Sequence, residues 1–170
     1  MSAFLSNCYW VAENLLAGAS FSSWSDSETL SNLEDLRAAK VTVIVSLISW
    51  SELVMGWSDQ DWLERQIERH FKHYVFPVQD GGVPTRAFTQ EILDAIDGEL
   101  SANRRVYVHC RGGRGRTGTI VGCWLTRHGY GKGEEVLEGI TSLRSAAHLD
   151  SVSPETEKQR SFVRTWDWQE

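Results

Sequence analysis

Cysteine and proline are both scarce in this chain of 170 residues, which has three of each. Three widely spaced cysteines, Cys8, Cys110 and Cys123, give neither a disulfide framework nor a zinc-ligand pattern, so stability has to come from a packed core. So few prolines, together with a 41% hydrophobic fraction, exclude a low-complexity or disordered chain. Positive charge is in deficit. The formal net charge of −6 and a pI near 5.4 exclude a binder that presents a basic surface to nucleic acid or anionic lipid, so any anion site must be local. There is no internal repeat and no apolar run of membrane-spanning length. "MSAFLSNCYWVAENLL" lacks a basic region followed by an apolar stretch, so the expected location is the cytoplasm, without a membrane span. The length suits one domain, expected over residues 1–170.

The apolar patterning alternates between strand and helix. "YWVAENLLAGA" reads as two short strands joined by a turn. "SDSETLSNLEDLRAA" follows as a helix, with Ser25 and Glu28 able to form a capping box. The run "VTVIVSL" is apolar on both faces, as a strand inside a parallel sheet would be. A helix capped by Ser58 carries Leu63, Ile67 and Phe71, and it leads into the strand "HYVFPV". The loop "QDGGVPT" then places Asp80 beyond a strand end. From Thr85 a helix runs to residue 102. "VYVHC" is the next strand, and the helix after it stops at Gly129. Two helices finish the chain. The second is expected to start at Ser153 as N-cap, with Pro154 in its first position. The fold class that follows is α/β: a mostly parallel sheet flanked by helices, with ligands bound outside the carboxyl ends of its strands.

One such end carries "HCRGGRGRTG", residues 109–118. An RNA-binding Arg/Gly tract would be repeated and flexible, whereas this one occurs once, between a strand and a helix. Gly113, Gly115 and Gly118 do fit the dinucleotide pattern G-x-G-x-x-G. However, the acid expected about twenty residues later should end a second strand, and Glu134 and Glu135 instead open a helix. The chemical reading uses every residue. A glycine-rich loop from Cys110 to Arg116 can curl until its backbone N–H groups share one centre, and the following helix adds its positive end there. That field favours a thiolate at Cys110, and the planar fork of Arg116 can hold two oxygens of a phosphate.

The stretch matches H-C-x-x-G-x-x-R-[ST]-G and so resembles the signature loop of the cysteine-dependent protein tyrosine phosphatase superfamily. "FPVQDGGVPT" resembles the acid loop of its compact dual-specificity members, and "SPETEKQRSFVRTW" a weaker C-terminal match. The resemblance implies hydrolysis of phosphate monoesters through a cysteinyl-phosphate, without metal or cofactor. Cys110 would be the nucleophile, Arg111, Gly112, Gly113, Arg114, Gly115 and Arg116 the phosphate cradle, and Asp80 the general acid. Thr117 would ease thiolate departure, His109 would order the loop, and Gln159 would position the water. Each role has a plainer counterpart. Asp before Gly often only stabilises a turn, Thr117 would serve equally as a helix cap, and Gln159 would look the same as an exposed helix residue.

Arg111 and Arg114 resemble the basic positions of phosphoinositide 3-phosphatases, although loop arginines also simply face solvent or pair with acids. The expected partner is a phosphorylated protein or a small phosphorylated substrate bound by a monomer, with no nucleic acid. Phosphatases of inositol phosphates, phosphoinositides or RNA 5′-triphosphate ends, or a non-catalytic phospho-ligand module, are the alternatives.

Overall fold

The structure, a computed structural model, describes residues 3–55, 57 and 59–167. Its sheet comprises β1 (Cys8–Ala12), β2 (Leu15–Gly18), β3 (Val43–Ser46), β4 (Lys72–Val75) and β5 (Val106–His109), in the spatial order β1-β2-β5-β3-β4. Only the β1–β2 pair is antiparallel. The helices are α1 (Asp26–Ala38), α2 (Trp50–Leu53), α3 (Gln60–Glu68), α4 (Arg86–Ser101), α5 (Gly115–Arg127), α6 (Glu134–Ala146) and α7 (Glu157–Arg164).

Handedness explains the layers. The β2–α1–β3 and β3–α3–β4 crossovers step in one direction along the sheet, whereas β4–α4–β5 steps back. Since parallel crossovers are right-handed, the reversal puts α4 on the opposite face from α1 and α3. There α4, α6 and α7 all pack around α5. The reversal also inserts β5 between β2 and β3, so the strand that feeds the glycine–arginine loop is central. All four residues of β5 and all four of β3 are buried, the cause of their unbroken apolar runs.

Three expected helix starts need revision. Ser25 accepts from the Glu28 N–H, but the Glu28 carboxylate takes the Ser23 hydroxyl rather than the Ser25 backbone, so only half of that box forms. Ser58 lies outside the described residues, and Asp59 caps α3 by accepting from the Trp62 N–H at 2.8 Å. The last helix starts at Glu157 rather than near Pro154. Thr156 and Gln159 form a complete capping box there, while the Ser153 hydroxyl is drawn to the carbonyl of Arg114 at 2.8 Å. The stop of α5 is as expected. Gly129, at φ +76°, donates to the carbonyl of Thr126, and Tyr130 donates to that of Leu125, the two bonds of a Schellman turn.

Helix α5 meets α7 at Gly122, where an added Cβ would stand 2.7 Å from a methyl of Val163. On α6, Gly139 faces open space. Gly122→Val is therefore expected to cost ~1–3 kcal/mol by overpacking, and Gly139→Ala to gain ~0.5–1 kcal/mol of helix propensity. Urea unfolding of the two variants measures both, and equal effects would contradict this packing.

Candidate active site

The loop between β5 and α5 is shaped from outside. The peptide group is planar and trans, so a carbonyl drawn one way sends the following N–H the other way. The carbonyl of Cys110 accepts from Nδ1 of His109 at 3.1 Å, and that of Arg111 accepts from the Ser20 N–H at 3.0 Å. The carbonyl of Gly113 accepts from Arg144 Nη1 at 3.2 Å, and that of Arg114 from the Ser153 hydroxyl. Four donors from four parts of the chain thus hold four carbonyls outward. By the planarity of each peptide, the N–H groups of Arg111, Gly112, Arg114 and Gly115 point away from those donors. Arg114 provides no side-chain cap for α5, and the first N–H groups of a helix have no partner within it.

Two glycines make the shape possible. Gly113 sits at φ +67°, and a Cβ there would lie 2.4 Å from the backbone of Gly18. At Gly118 a Cβ would meet the Ser153 hydroxyl at 2.1 Å, so only glycine lets that segment reach the loop.

Arg116 is buried, and its guanidinium is fixed on three sides. Glu52, at the end of α2, takes Nη1 and Nη2 at 2.9 and 2.8 Å; the carbonyl of Val78 takes Nη1 at 3.1 Å; Asp80 lies 3.0 Å from Nη2. Hydrogen bonds from Arg116 hold the Glu52 carboxyl below its ordinary value. Burial works against the Arg116 cation, but Glu52, Cys110 and Asp80 raise its pKa further. Glu52 was not among the expected site residues. Its only sequence signal is a carboxylate placed just after β3, at the sheet end where the two loops converge.

His109 is fully buried between rings, with Tyr107 stacked at 5.4 Å and Phe21 edge-on at 5.2 Å. Its Nε2 lies 2.6 Å from the Ser46 hydroxyl, which lies 2.8 Å from Nε2 of His73. A carbonyl can only accept, so Nδ1 of His109 carries the proton and Nε2 accepts from Ser46; Ser46 in turn accepts from His73. Burial pushes His109 down to about 3 and His73 down to about 4, keeping both rings neutral.

The acid loop is tied to α7. Thr156 donates to the carbonyl of Gly81 at 3.3 Å, and Nε2 of Gln159 donates to that of Gly82 at 3.0 Å. Gln159 is buried rather than exposed, and its Oε1 is occupied by the Thr156 N–H. Asp80 itself is open to solvent, with its side chain 86% exposed. The Thr117 hydroxyl is buried and directed at the carbonyl of Gly18, 3.5 Å away. Of the two additional loop arginines, Arg114 pairs with Glu155. Arg111 lines a cavity of about 530 Å³ shared with Ser20, Trp24, Glu28 and Asp35.

The family model for the Swiss Army Knife protein DSP-PTPase phosphatase domain (PTP-SAK) matches residues 5–163. The chain belongs to this family. Its members' dual-specificity type recurs among relatives: the dual specificity protein phosphatase CDC14B of Mus musculus is 37% identical over 65 residues, 38% of this chain. That match spans only 13% of the mouse protein. An uncharacterized protein of Methanocaldococcus jannaschii, MJECL20, is 32% identical over 110 residues, 62% of this chain and 69% of its own length. Among solved structures, Tk-PTP in the active form superposes with a TM-score of 0.71 at 20% identity, over 92% of this chain and 93% of that one. PTPMT1, solved in complex with PI(5)P, gives 0.68 at 19%, over 93% and 92%. At such identities the likeness is one of fold, and it places this phosphatase domain among tyrosine and dual-specificity phosphatase structures.

The two neutral histidines make a pH prediction. Both have folded pKa values below the unfolded 6.5, so the native state binds fewer protons. Their contribution is complete above about 6.5 and is lost as pH falls toward 4 and then 3, by up to about 1.4 kcal/mol per pH unit for each ring. Denaturant unfolding at pH 7.5, 6.5, 5.5 and 4.5 should show this decline, shallower in His73→Gln. A flat profile down to pH 5 would contradict the neutral relay.

Proposed function

We propose that this phosphatase domain hydrolyses phosphate monoesters of phosphoproteins, on tyrosine or on serine and threonine, through a cysteinyl-phosphate. The observation that carries the reading is the loop from Cys110 to Arg116, whose carbonyls at 110, 111, 113 and 114 are held by donors from outside it and which ends in the buried, fixed fork of Arg116. Peptide planarity turns the matching N–H groups the other way, where they would meet the equatorial oxygens of a phosphate under attack by the Cys110 sulfur.

In the first step Sγ of Cys110 attacks phosphorus, the ester P–O bond breaks in line, and Asp80 gives its proton to the departing oxygen. A phosphate arriving at Arg116 takes over Nη2 from Asp80, which frees that side chain to take a proton from solvent and face the ester oxygen as the acid. In the second step Asp80 removes a proton from water, water attacks phosphorus, and the S–P bond breaks to give inorganic phosphate and thiolate. Thr117 supports the thiolate as it leaves. Gln159 and Thr156 hold the acid loop at its working distance. Glu52 keeps Arg116 planar to the phosphate rather than acting on it.

A protein substrate is favoured over a polyphosphorylated small molecule by the charges around the loop. Glu155 neutralises Arg114, and Glu28 and Asp35 share the cavity beside Arg111, where a second phosphate would meet two carboxylates. Activity in the cytoplasm, as a monomer, fits this reading.

The test is phosphate release from aryl phosphates, phosphopeptides, inositol phosphates and phosphoinositides. Cys110→Ser should abolish turnover while still binding vanadate. Asp80→Asn should lose on the order of 10²- to 10⁴-fold, most for poor leaving groups. Near-native rates in Cys110→Ser would refute the mechanism, and faster release from inositol polyphosphates than from phosphopeptides would refute the substrate class.

A further inference from the structure

Arg144, on α6, is only 4% exposed, and the groups that its guanidinium bonds or stacks on are neutral. Nη1 donates to the carbonyl of Gly113 at 3.2 Å, Nε to that of Ser151 at 3.3 Å, and Nη2 to the Ser151 hydroxyl at 2.7 Å; the plane lies over the Tyr9 ring, 5.5 Å from its centre. Among the described residues no carboxylate forms an ion pair with it. Arg116, the other buried arginine, has two. Tyr9 cannot serve as the anion either, because burial pushes its hydroxyl up to about 12 in spite of the nearby Arg144 cation.

A cation taken out of water without an acid is costly, and proteins that bury arginine normally pair it. Here the unbalanced charge sits directly behind the loop. The carbonyl it holds belongs to the peptide whose N–H, that of Arg114, is turned toward the anion site. We propose that Arg144 is a positioning residue whose counter-ion is the substrate phosphate itself, held on the other side of the loop backbone. One guanidinium then has two effects at once. Its hydrogen bond keeps the Arg114 N–H aimed inward, and its charge adds a standing positive potential to the nest before any ligand arrives. The idea rests on the reading of the loop as a phosphate site, and it extends that site to a residue that no substrate atom reaches.

The experiment compares alkylation of Cys110 by iodoacetate and by iodoacetamide, with the labelled cysteine located by mass spectrometry. The two reagents displace iodide from the same sulfur and differ in charge, so the ratio of their rates reports the local potential while thiol reactivity cancels. Burial raises the Cys8 thiol to about 11 and the Cys123 thiol well above its ordinary value, so neither competes. Turnover is not required, so a chain lacking phosphatase activity and a chain lacking this field give different results.

Arg144→Met should lower the iodoacetate to iodoacetamide ratio about tenfold. Arg144→Lys should keep most of it. Ser153→Ala, which removes one of the two donors to the Arg114 carbonyl without removing charge, should slow both reagents in step and leave the ratio unchanged. An unchanged ratio in Arg144→Met, or equal losses in Arg144→Met and Arg144→Lys, would overturn the proposal. So would failure of Arg144→Met to fold, because a charge balanced by the ligand is not one that the empty protein needs.

Discussion

Everything around the site depends on pulling the loop's carbonyl oxygens outward. A glycine-rich segment left to itself would satisfy its own N–H groups or turn them to water, and its carbonyls would compete for the centre. Here that competition is removed by His109, Ser20, Arg144 and Ser153, donors that belong respectively to β5, the turn after β2, α6 and the segment before α7. The anion site is therefore assembled by tertiary structure. Helices that never approach a substrate are still required for it, and the close contacts at Gly113 and Gly118 are what let their donors arrive.

The same logic extends to the side chains. Glu52 pairs with the buried guanidinium of Arg116 and fixes its orientation, and Thr156 and Gln159 tie the Asp80 loop to α7. Behind His109, Ser46 and His73 fit the same ring tautomer as the bond to the carbonyl of Cys110. Each of these side chains thus has a partner that fixes its orientation: Gln159 and Ser46 are buried, and Glu52, His73 and Thr156 are half-buried. Preorganisation of this kind lets a loop act electrostatically without reorganising during the reaction.

How much of this could be read from the sequence follows from the range of the interactions. Local signals were clear: the apolar runs of β3 and β5, the Thr85 cap, the Gly129 stop and the spacing from Cys110 to Arg116 each lie within a dozen residues. Membership of the family followed from that loop. Ser153 was misread as a helix cap because a serine before proline has the local form of one, whereas its partner is 39 residues away. Glu52 and Arg144 carried no local pattern at all, since a carboxylate 64 residues from its arginine and an arginine 31 residues from its carbonyl look like ordinary surface charges until the sheet brings them together. For Gln159, expected to position a water, the burial and the tie to Gly82 were not visible.

The most direct test of this account is a titration of the protein with tungstate or phosphate, followed by amide proton and nitrogen resonances. If outward-held carbonyls make the anion site, the amides of Arg111, Gly112, Arg114 and Gly115 shift downfield together with one dissociation constant. Shifts confined to the Arg116 side chain, with those four amides unmoved, would contradict it.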